Sequence, residues 1–370
     1  MDYTDAVLLP GFVNAHTHLE LHGFRGQLPE TEFSTWMQLM RAIRQSTPRE
    51  TYEAGAPEGL REAWRHGTTT VADTGTSGAT VRALAELGGR GIYYQEAIGP
   101  DPSSCEEAFA ELTGAVAQLR DSAPREVTIG VSPHAPYTVS PELLRRVVAF
   151  ARTERLPLAS HLAESSAEAE FVARGAGPFA ESRHSRGIPM PPVARSPVEF
   201  AARAGLLGPD FLAIHAVRAD ADDVAALAAS GSAVAVCPRS NLRHGHGNAP
   251  LGALLDAGLR VGLGTDSVAS VESLDLLAEA RAARGLAGLT AEEALRLLTI
   301  GGARAIGMDA EIGSLEVGKW ADLVVLQLGG GDRTFGTGDT DLAARLLAAD
   351  PSCIVCTYVG GRRVHPHPDS

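Results

Sequence analysis

Lysine is nearly absent from this chain. Lys319 is the only one, so all the other basic residues among its 32 Lys and Arg are arginine. A GC-rich coding sequence explains the bias, yet it also bars any chemistry that needs a lysine elsewhere. Cysteine is scarce too, and Cys105, Cys237, Cys353 and Cys356 cannot build a disulfide framework over 370 residues. The C-x-x-C spacing of Cys353 and Cys356 lies in an apolar run that reads as a strand. A redox motif would precede a helix and a zinc knuckle would need a second pair, so these two sulfurs read as structural. Positive charge is in deficit, with 32 basic against 45 acidic residues and a net charge of −13. That excludes the basic footprint of a nucleic-acid binder and attraction to an anionic membrane. There is no uninterrupted apolar run of about 18 residues and no charged-then-apolar leader, which points to a cytoplasmic protein without a membrane partner.

What is present is core. At 44% hydrophobic and 21% charged residues, a chain of this length can bury a large interior. Eight β-rich runs, each followed by a helical stretch, occupy 11–18, 68–74, 91–98, 127–133, 156–161, 211–217, 233–238 and 260–266. Amphipathic segments at 105–120, 141–153, 219–229 and 274–284 lie between them, and Val224, Leu227 and Ala228 share one helical face. Eight strand–helix alternations indicate the α/β class and fit a (β/α)8 barrel over 10–308 better than an open sheet. Residues 290–306 read as one further helix. Turns and short β-runs then continue to 364. With residues 1–9, the segment 309–370 is expected to form a small, partly reduced β-sandwich side domain. The stretch 2–9 can add one strand to it at most. The polar, Gly-rich segment 329–340 reads as a flexible connection.

Such barrels carry their chemistry at the C-terminal ends of the strands. His16 and His18 close the first run, two residues apart and hence on one side of the strand. Packing does not explain an apolar strand that ends in His-x-His. His161 closes the fifth run, His215 the sixth and Asp266 the eighth. Any one of them alone reads as a polar cap. Together they put four imidazoles and a carboxylate at one end of one barrel, donors that suit zinc and similar divalent ions.

Seven segments carry a family resemblance. They are Pro10-Gly-Phe-Val-Asn-Ala-His-Thr-His18, His66-Gly-Thr-Thr-Thr70, Ser132-Pro-His-Ala-Pro-Tyr137, His161-Leu-Ala-Glu164, Cys237-Pro-Arg-Ser-Asn241, Leu263-Gly-Thr-Asp-Ser267 and Gly318-Lys-Trp-Ala-Asp322. In this order they resemble the amidohydrolase superfamily, in its cytosine-deaminase-like and chlorohydrolase-like branch. The resemblance implies one divalent metal, zinc or else iron, held by His16, His18, His161 and Asp266. It also implies that His215 hydrogen-bonds the attacking water. Two-metal relatives bridge their ions through a carbamylated lysine on the fourth strand. The run 127–133 has no lysine and Lys319 lies beyond the eighth strand, so that arrangement is excluded.

In deaminating relatives the carboxylate of His-x-x-Glu shuttles a proton to a ring nitrogen, which would make Glu164 catalytic with His215 and Asp266. The plainer reading of Glu164 is an exposed side chain in an acidic segment with Glu168 and Glu170. The implied reaction is hydrolytic deamination of an aminated aromatic ring, with Asp266 accepting a proton from water and Glu164 protonating the ring.

His134 resembles a position that touches a purine nitrogen. Trp36 and Arg41 or Arg44, in the amphipathic stretch 33–44, offer an aromatic wall and a cation, and Ser240 is a further expected substrate contact. His244 and His246 read as loop contacts or exposed groups rather than a second metal site. Relatives that hold an amino-acid tail place arginines after the third strand, where Tyr93–Asp101 has none, so such tails are disfavoured. The wording around 16–20, 237–241 and 264–270 is most similar to the aminodeoxyfutalosine deaminases of menaquinone biosynthesis. These act on an adenine nucleoside with a carboxyphenyl-ketone tail. Methylthioadenosine, S-adenosylhomocysteine and adenosine are alternatives, as are guanine-type or triazine rings with C–N or C–Cl hydrolysis. The expected partner is thus a small molecule, a purine nucleoside, with a homodimer left open.

Overall fold

The computed structural model describes residues 6–328 and 340–366, so 329–339 of the expected flexible connection lie outside the described residues. β1 (Val7–Pro10) belongs to a side sheet. The barrel strands follow: β2 (Phe12–Thr17), β3 (Thr68–Gly75), β4 (Arg90–Ala97), β5 (Val127–Pro133), β6 (Leu158–Leu162), β7 (Phe211–His215), β8 (Ala233–Val236) and β9 (Arg260–Leu263). β10 (Leu323–Leu326), β11 (Ile354–Val359) and β12 (Arg362–His365) return to the side sheet.

Strands β2 to β9 pair in parallel in chain order. The seam closes where Thr17 bridges Asp266 and where Asp266 N–H donates to the His16 carbonyl at 3.1 Å. Two of the polar residues singled out from the sequence therefore also close the barrel. Strands β2, β3 and β4 are buried along their whole length, as parallel strands covered on both faces must be. Mostly small side chains fill the interior, among them Val13, Ala15, Ala72, Ala159, Ala233 and Ala235. Larger ones, such as Leu143, Val147 and Leu158, pack between strands and helices, each fully buried aliphatic contributing about 1.5–3 kcal/mol. The helix Pro141–Glu154 shows the local logic. Ser140 caps it by accepting from Leu143 N–H at 3.3 Å, Pro141 opens it, and Leu143, Leu144, Val147, Val148 and Ala151 form its buried face.

Residues 290–306 form two helices rather than one, Ala291–Leu297 and Ile300–Ala305. The Leu298 carbonyl turns away to accept from Val13 N–H at the start of β2, 2.8 Å away. Gly302 packs so tightly there that a Cβ would come within 2.9 Å of Val13. Tertiary contact breaks a periodic helical segment, and its second half joins the core inside the barrel through Ala303, Ala305 and Ile306.

The side unit is a single antiparallel sheet in the order β1-β10-β11-β12, with β1 as the one strand available from the N-terminal stretch. The helix Arg49–Arg65, which packs on β11 and β12, takes the place of a second layer. Val324, Leu326, Ile354 and Val359 belong to the same core as the barrel's outer layer. Buried Arg90 pairs with Asp322 at 2.9 Å across the junction. None of the four cysteines is joined in a disulfide, and Cys356 sits on β11. Lys319 donates to the Asp309 carbonyl at 2.5 Å and to Ser314 at 2.7 Å, away from the strand ends. No described helix is long and apolar enough to cross a membrane.

Candidate active site

At the C-terminal ends of the strands, His16, His18, His161, His215 and Asp266 converge, and all are buried. His18 Nε2 lies 3.3 Å from His161 Nε2. His16 Nε2 and His18 Nε2 each stand 3.6 Å from Asp266 Oδ1. The backbone bends hard to achieve this: His215 and Asp266 hold φ of +76° and +58°, with Ala163 and Ala216 at +53° and +50° beside them. These left-handed conformations cost a side-chain-bearing residue about 1–2 kcal/mol each and are held only where the surroundings dictate them.

The imidazoles are oriented from behind. His18 Nδ1–H donates to the Thr74 carbonyl at 2.9 Å, His161 Nδ1–H to the His134 carbonyl at 3.1 Å, and His215 Nδ1–H to Asn241 Oδ1 at 2.9 Å. Each bond leaves a bare Nε2 facing the centre. Burial, with His16 nearby, pulls His18 down to about 4, and burial with the neighbouring imidazoles holds His161 well below its usual range. The rings are therefore neutral, the form a metal requires. Burial alone would raise the Asp266 carboxyl, but the adjacent His16, His18 and His215 hold it well below the usual range. Its Oδ2 accepts from Ser240 Oγ at 2.6 Å and its Oδ1 from Ser267 N–H at 2.7 Å.

These donors fit a metal ion. Two ligand atoms each about 2.0–2.1 Å from a tetrahedral zinc stand roughly 3.3 Å apart, close to the 3.3 and 3.6 Å separations seen here. His16 Nε2 is buried with no hydrogen-bond partner, an orphan that a metal would satisfy. Among the described residues, a further group of Glu96, His134 and His161 lies alongside.

Glu164 is part of this cluster, not an exposed side chain. It is 5% exposed, and its Oε1 stands 3.5 Å from both His215 Nε2 and His246 Nε2. Burial opposes ionisation, but His215 and His246 outweigh it and hold the carboxyl at about 2. Glu168, passed over in the sequence as one of several acidic residues, fixes Glu164 in place. Its Oε1 accepts from Ala163 N–H at 2.9 Å and its Oε2 from Glu164 N–H at 2.7 Å.

Trp36 and His134 line the inner chamber beside the cluster, together with Phe33, Arg44 and His244. Arg41 lies farther out, in the adjoining cavity. Ser240 is not on the wall: it is fully buried behind Asp266 and spends its hydroxyl on that carboxylate. His244 and His246 are indeed loop contacts. His246 meets Phe33 edge-on at 4.4 Å between ring centres, and His244 meets Trp36 at 4.7 Å. A larger cavity, about 1070 Å³, opens at the opposite end of the strands among Arg90, Thr128 and Arg260 and contains none of this cluster.

The sequence pattern of the amidohydrolase family matches residues 7–364. A curated relative, the 5-methylthioadenosine/S-adenosylhomocysteine deaminase of Moorella thermoacetica, is 35% identical over 338 residues, covering 89% of this chain and 75% of the relative. Among solved structures, a zinc-bound adenosine deaminase from Xanthomonas campestris superposes with a TM-score of 0.82 at 29% identity, covering 97% of this chain and 80% of that one. The zinc complex of atrazine chlorohydrolase from Arthrobacter aurescens gives a TM-score of 0.79 at 26% identity, covering 97% and 83%.

Proposed function

The chain belongs to the amidohydrolase family and is a metal-dependent hydrolase of carbon–nitrogen bonds, and from that premise we propose that it deaminates the adenine ring of a nucleoside. The observation that carries the reading is the placing of Glu164: a buried, ionised carboxylate 3.5 Å from His215, beside the proposed ligands.

His16, His18, His161 and Asp266 are the residues that would hold one divalent ion, zinc in our reading. Such an ion supplies a Lewis acid that lowers the pKa of water from ~15.7 towards roughly 7. Asp266, fixed by Ser240 and Ser267, takes a proton from the attacking water. His215, its Nδ1–H tied to Asn241, turns Nε2 to orient that water and to steady developing charge. Glu164, ionised at rest, takes the other proton of that water and carries it to the ring nitrogen next to the carbon under attack, so that the aromatic ring accepts addition without building up negative charge. Asp266 or Glu164 then protonates the departing amine, and water and the aminated ring become ammonia and the ring carbonyl. His134 and Trp36 bound the ring.

Within adenine nucleosides, 6-aminodeoxyfutalosine is the first substrate proposed, on the similarity of the segments 16–20, 237–241 and 264–270. A second reading, methylthioadenosine or S-adenosylhomocysteine, is favoured by the name of the Moorella relative. Ammonia release from the zinc-loaded enzyme, measured on these three nucleosides and on adenosine, decides between them. Glu164→Gln should keep its metal and lose about 10²–10⁴-fold in kcat. Unaltered turnover in that variant would remove the proton-carrier role.

A further inference from the structure

Past β8 and the short helix Pro238–Arg243, the chain runs His244-Gly-His246-Gly. Gly245 and Gly247 hold φ of +68° and +92°, and a Cβ at either would meet nothing within 4 Å. Space does not call for glycine at these positions. The left-handed backbone does, and between the two turns His246 is buried. Its N–H donates to the Asn241 carbonyl at 2.9 Å, while the Asn241 side chain accepts from His215 Nδ1–H at 2.9 Å. One residue thus fixes two imidazoles. Both present Nε2 to the same atom, Glu164 Oε1, at 3.5 Å.

The two rings are not equivalent. His215 spends its one proton on Asn241, so in the neutral ring its Nε2 has only a lone pair to turn towards the carboxylate. His246 Nε2 is buried and has no other partner. Its ring is wedged between Phe33, met edge-on at 4.4 Å, and His244, stacked at 5.5 Å. Packing alone does not ask for an imidazole there. Leucine would fill the place without burying a polar nitrogen, which costs about 1–3 kcal/mol when left unmatched. A proton on Nε2 gives that nitrogen its acceptor and gives Glu164 its donor. At 3.5 Å the pair is looser than a settled hydrogen bond, as catalytic contacts commonly are before substrate closes on them. The ionised state of Glu164 in a buried site agrees, since His215 and His246 are the partners that outweigh burial.

We infer that His246 is a positioning residue for Glu164: its Nε2–H holds Oε1 and leaves Oε2 as the oxygen that takes the water proton and hands it to the ring. The inference rests on the proton-carrier reading of Glu164 and deepens it. Glu164 is then secured twice, at its main chain by Glu168 and at its side chain by His246. The travelling proton is not the imidazole's own. It breaks from the attacking water, bonds to Glu164 Oε2 and passes to the ring nitrogen, while the Nε2–H of His246 stays intact.

The test follows ammonia release from the zinc-loaded enzyme on whichever of the four adenine nucleosides it turns over fastest. His246→Leu, which fills the same space without a donor, should lower kcat about 10- to 100-fold with KM and zinc content unchanged. His246→Gln, whose amide nitrogen reaches as far as Nε2, should restore kcat to within about threefold of the wild type. If the leucine variant fails to fold, His246→Asn, polar but one carbon too short, takes its place with the same expected loss. In a Glu164→Gln background, His246→Leu should cost less than about twofold more, because the carboxylate it serves is gone. Full turnover in His246→Leu or His246→Asn overturns the inference. So does an equal loss in the glutamine variant, or a His246 effect undiminished in the Glu164→Gln background. Full turnover in Glu164→Gln itself removes the proton carrier, and the inference with it.

Discussion

Asp266 and His16 meet twice, once through side chains at 3.6 Å and once through the backbone, where Asp266 N–H bonds the His16 carbonyl. The approach is possible because residue 264 has no side chain. A Cβ at Gly264 would lie 2.8 Å from His16 N, Cβ and O, against backbone that cannot give way. Gly264→Ala is therefore expected to displace His16 and open the barrel seam. The measurable result is metal content well below that of the wild type and an unfolding midpoint lowered by several degrees. At this scale the sequence was generous with ligands and sparing with their supports. His-x-His at 16–18 is conspicuous because an apolar strand has no use for it. Ser240 looked like a substrate contact because its neighbours in the chain said nothing of where its hydroxyl points.

Among elements, the helix Ser166–Arg174 reaches back to the end of β6. Ser165 caps it, and Glu168 in its first turn satisfies two N–H groups of the sharply turned Ala163–Glu164 segment. Glu168→Ala should leave the metal bound and lower kcat by about tenfold or more, by letting Glu164 wander. Glu168→Gln, which keeps one acceptor, should fall between variant and wild type. Equal kcat in all three would dismiss the positioning role. No periodicity marks Glu168 apart from Glu170, since a glutamate near the start of a helix is ordinary in composition. The split of 290–306 was hidden for a similar reason: its pattern is helical throughout, and the carbonyl that breaks it answers to Val13, nearly three hundred residues earlier.

Another element contact makes a pH prediction. Glu62, on the helix Arg49–Arg65, accepts from His22 at 2.9 Å and from Leu274 N–H at 3.1 Å, and pairs with Arg25. Burial works against its ionisation, but these partners hold its carboxyl at about 2. Its folded pKa lies below the unfolded one, so the stability it contributes is present above about pH 4.5 and is lost as pH falls towards 2. Glu62→Gln should be less stable at pH 6 by up to about 3 kcal/mol, a gap that closes on acidification. Urea unfolding of both proteins between pH 6 and pH 3 shows whether it does.

For the whole molecule, the site sits on a core that does not depend on it. The barrel interior and its outer layer are apolar, and the outer layer is continuous with the side sheet. A chelator should abolish turnover and lower the unfolding midpoint by several degrees while leaving the far-UV circular dichroism unchanged, and added zinc should restore activity. Full turnover after exhaustive dialysis against the chelator would contradict a required metal. The net charge of −13 likewise describes the molecule and not the site, where Arg41, Arg183 and Arg186 line the adjoining cavity.

The eight strand–helix alternations were determined by the sequence alone, because parallel strands buried on both faces need apolar runs and their crossovers need amphipathic helices. So was the lack of a lysine on the fourth barrel strand, because residue type alone settles it. Which polar groups face one another was decided only by tertiary structure. His18 and His161 meet across 143 residues of chain and Thr17 and Asp266 across 249, distances over which local pattern carries no information. Closure of the barrel sets these separations, and with them the orphaned nitrogens, the ionised Glu164 and the arginine-lined cavity beyond.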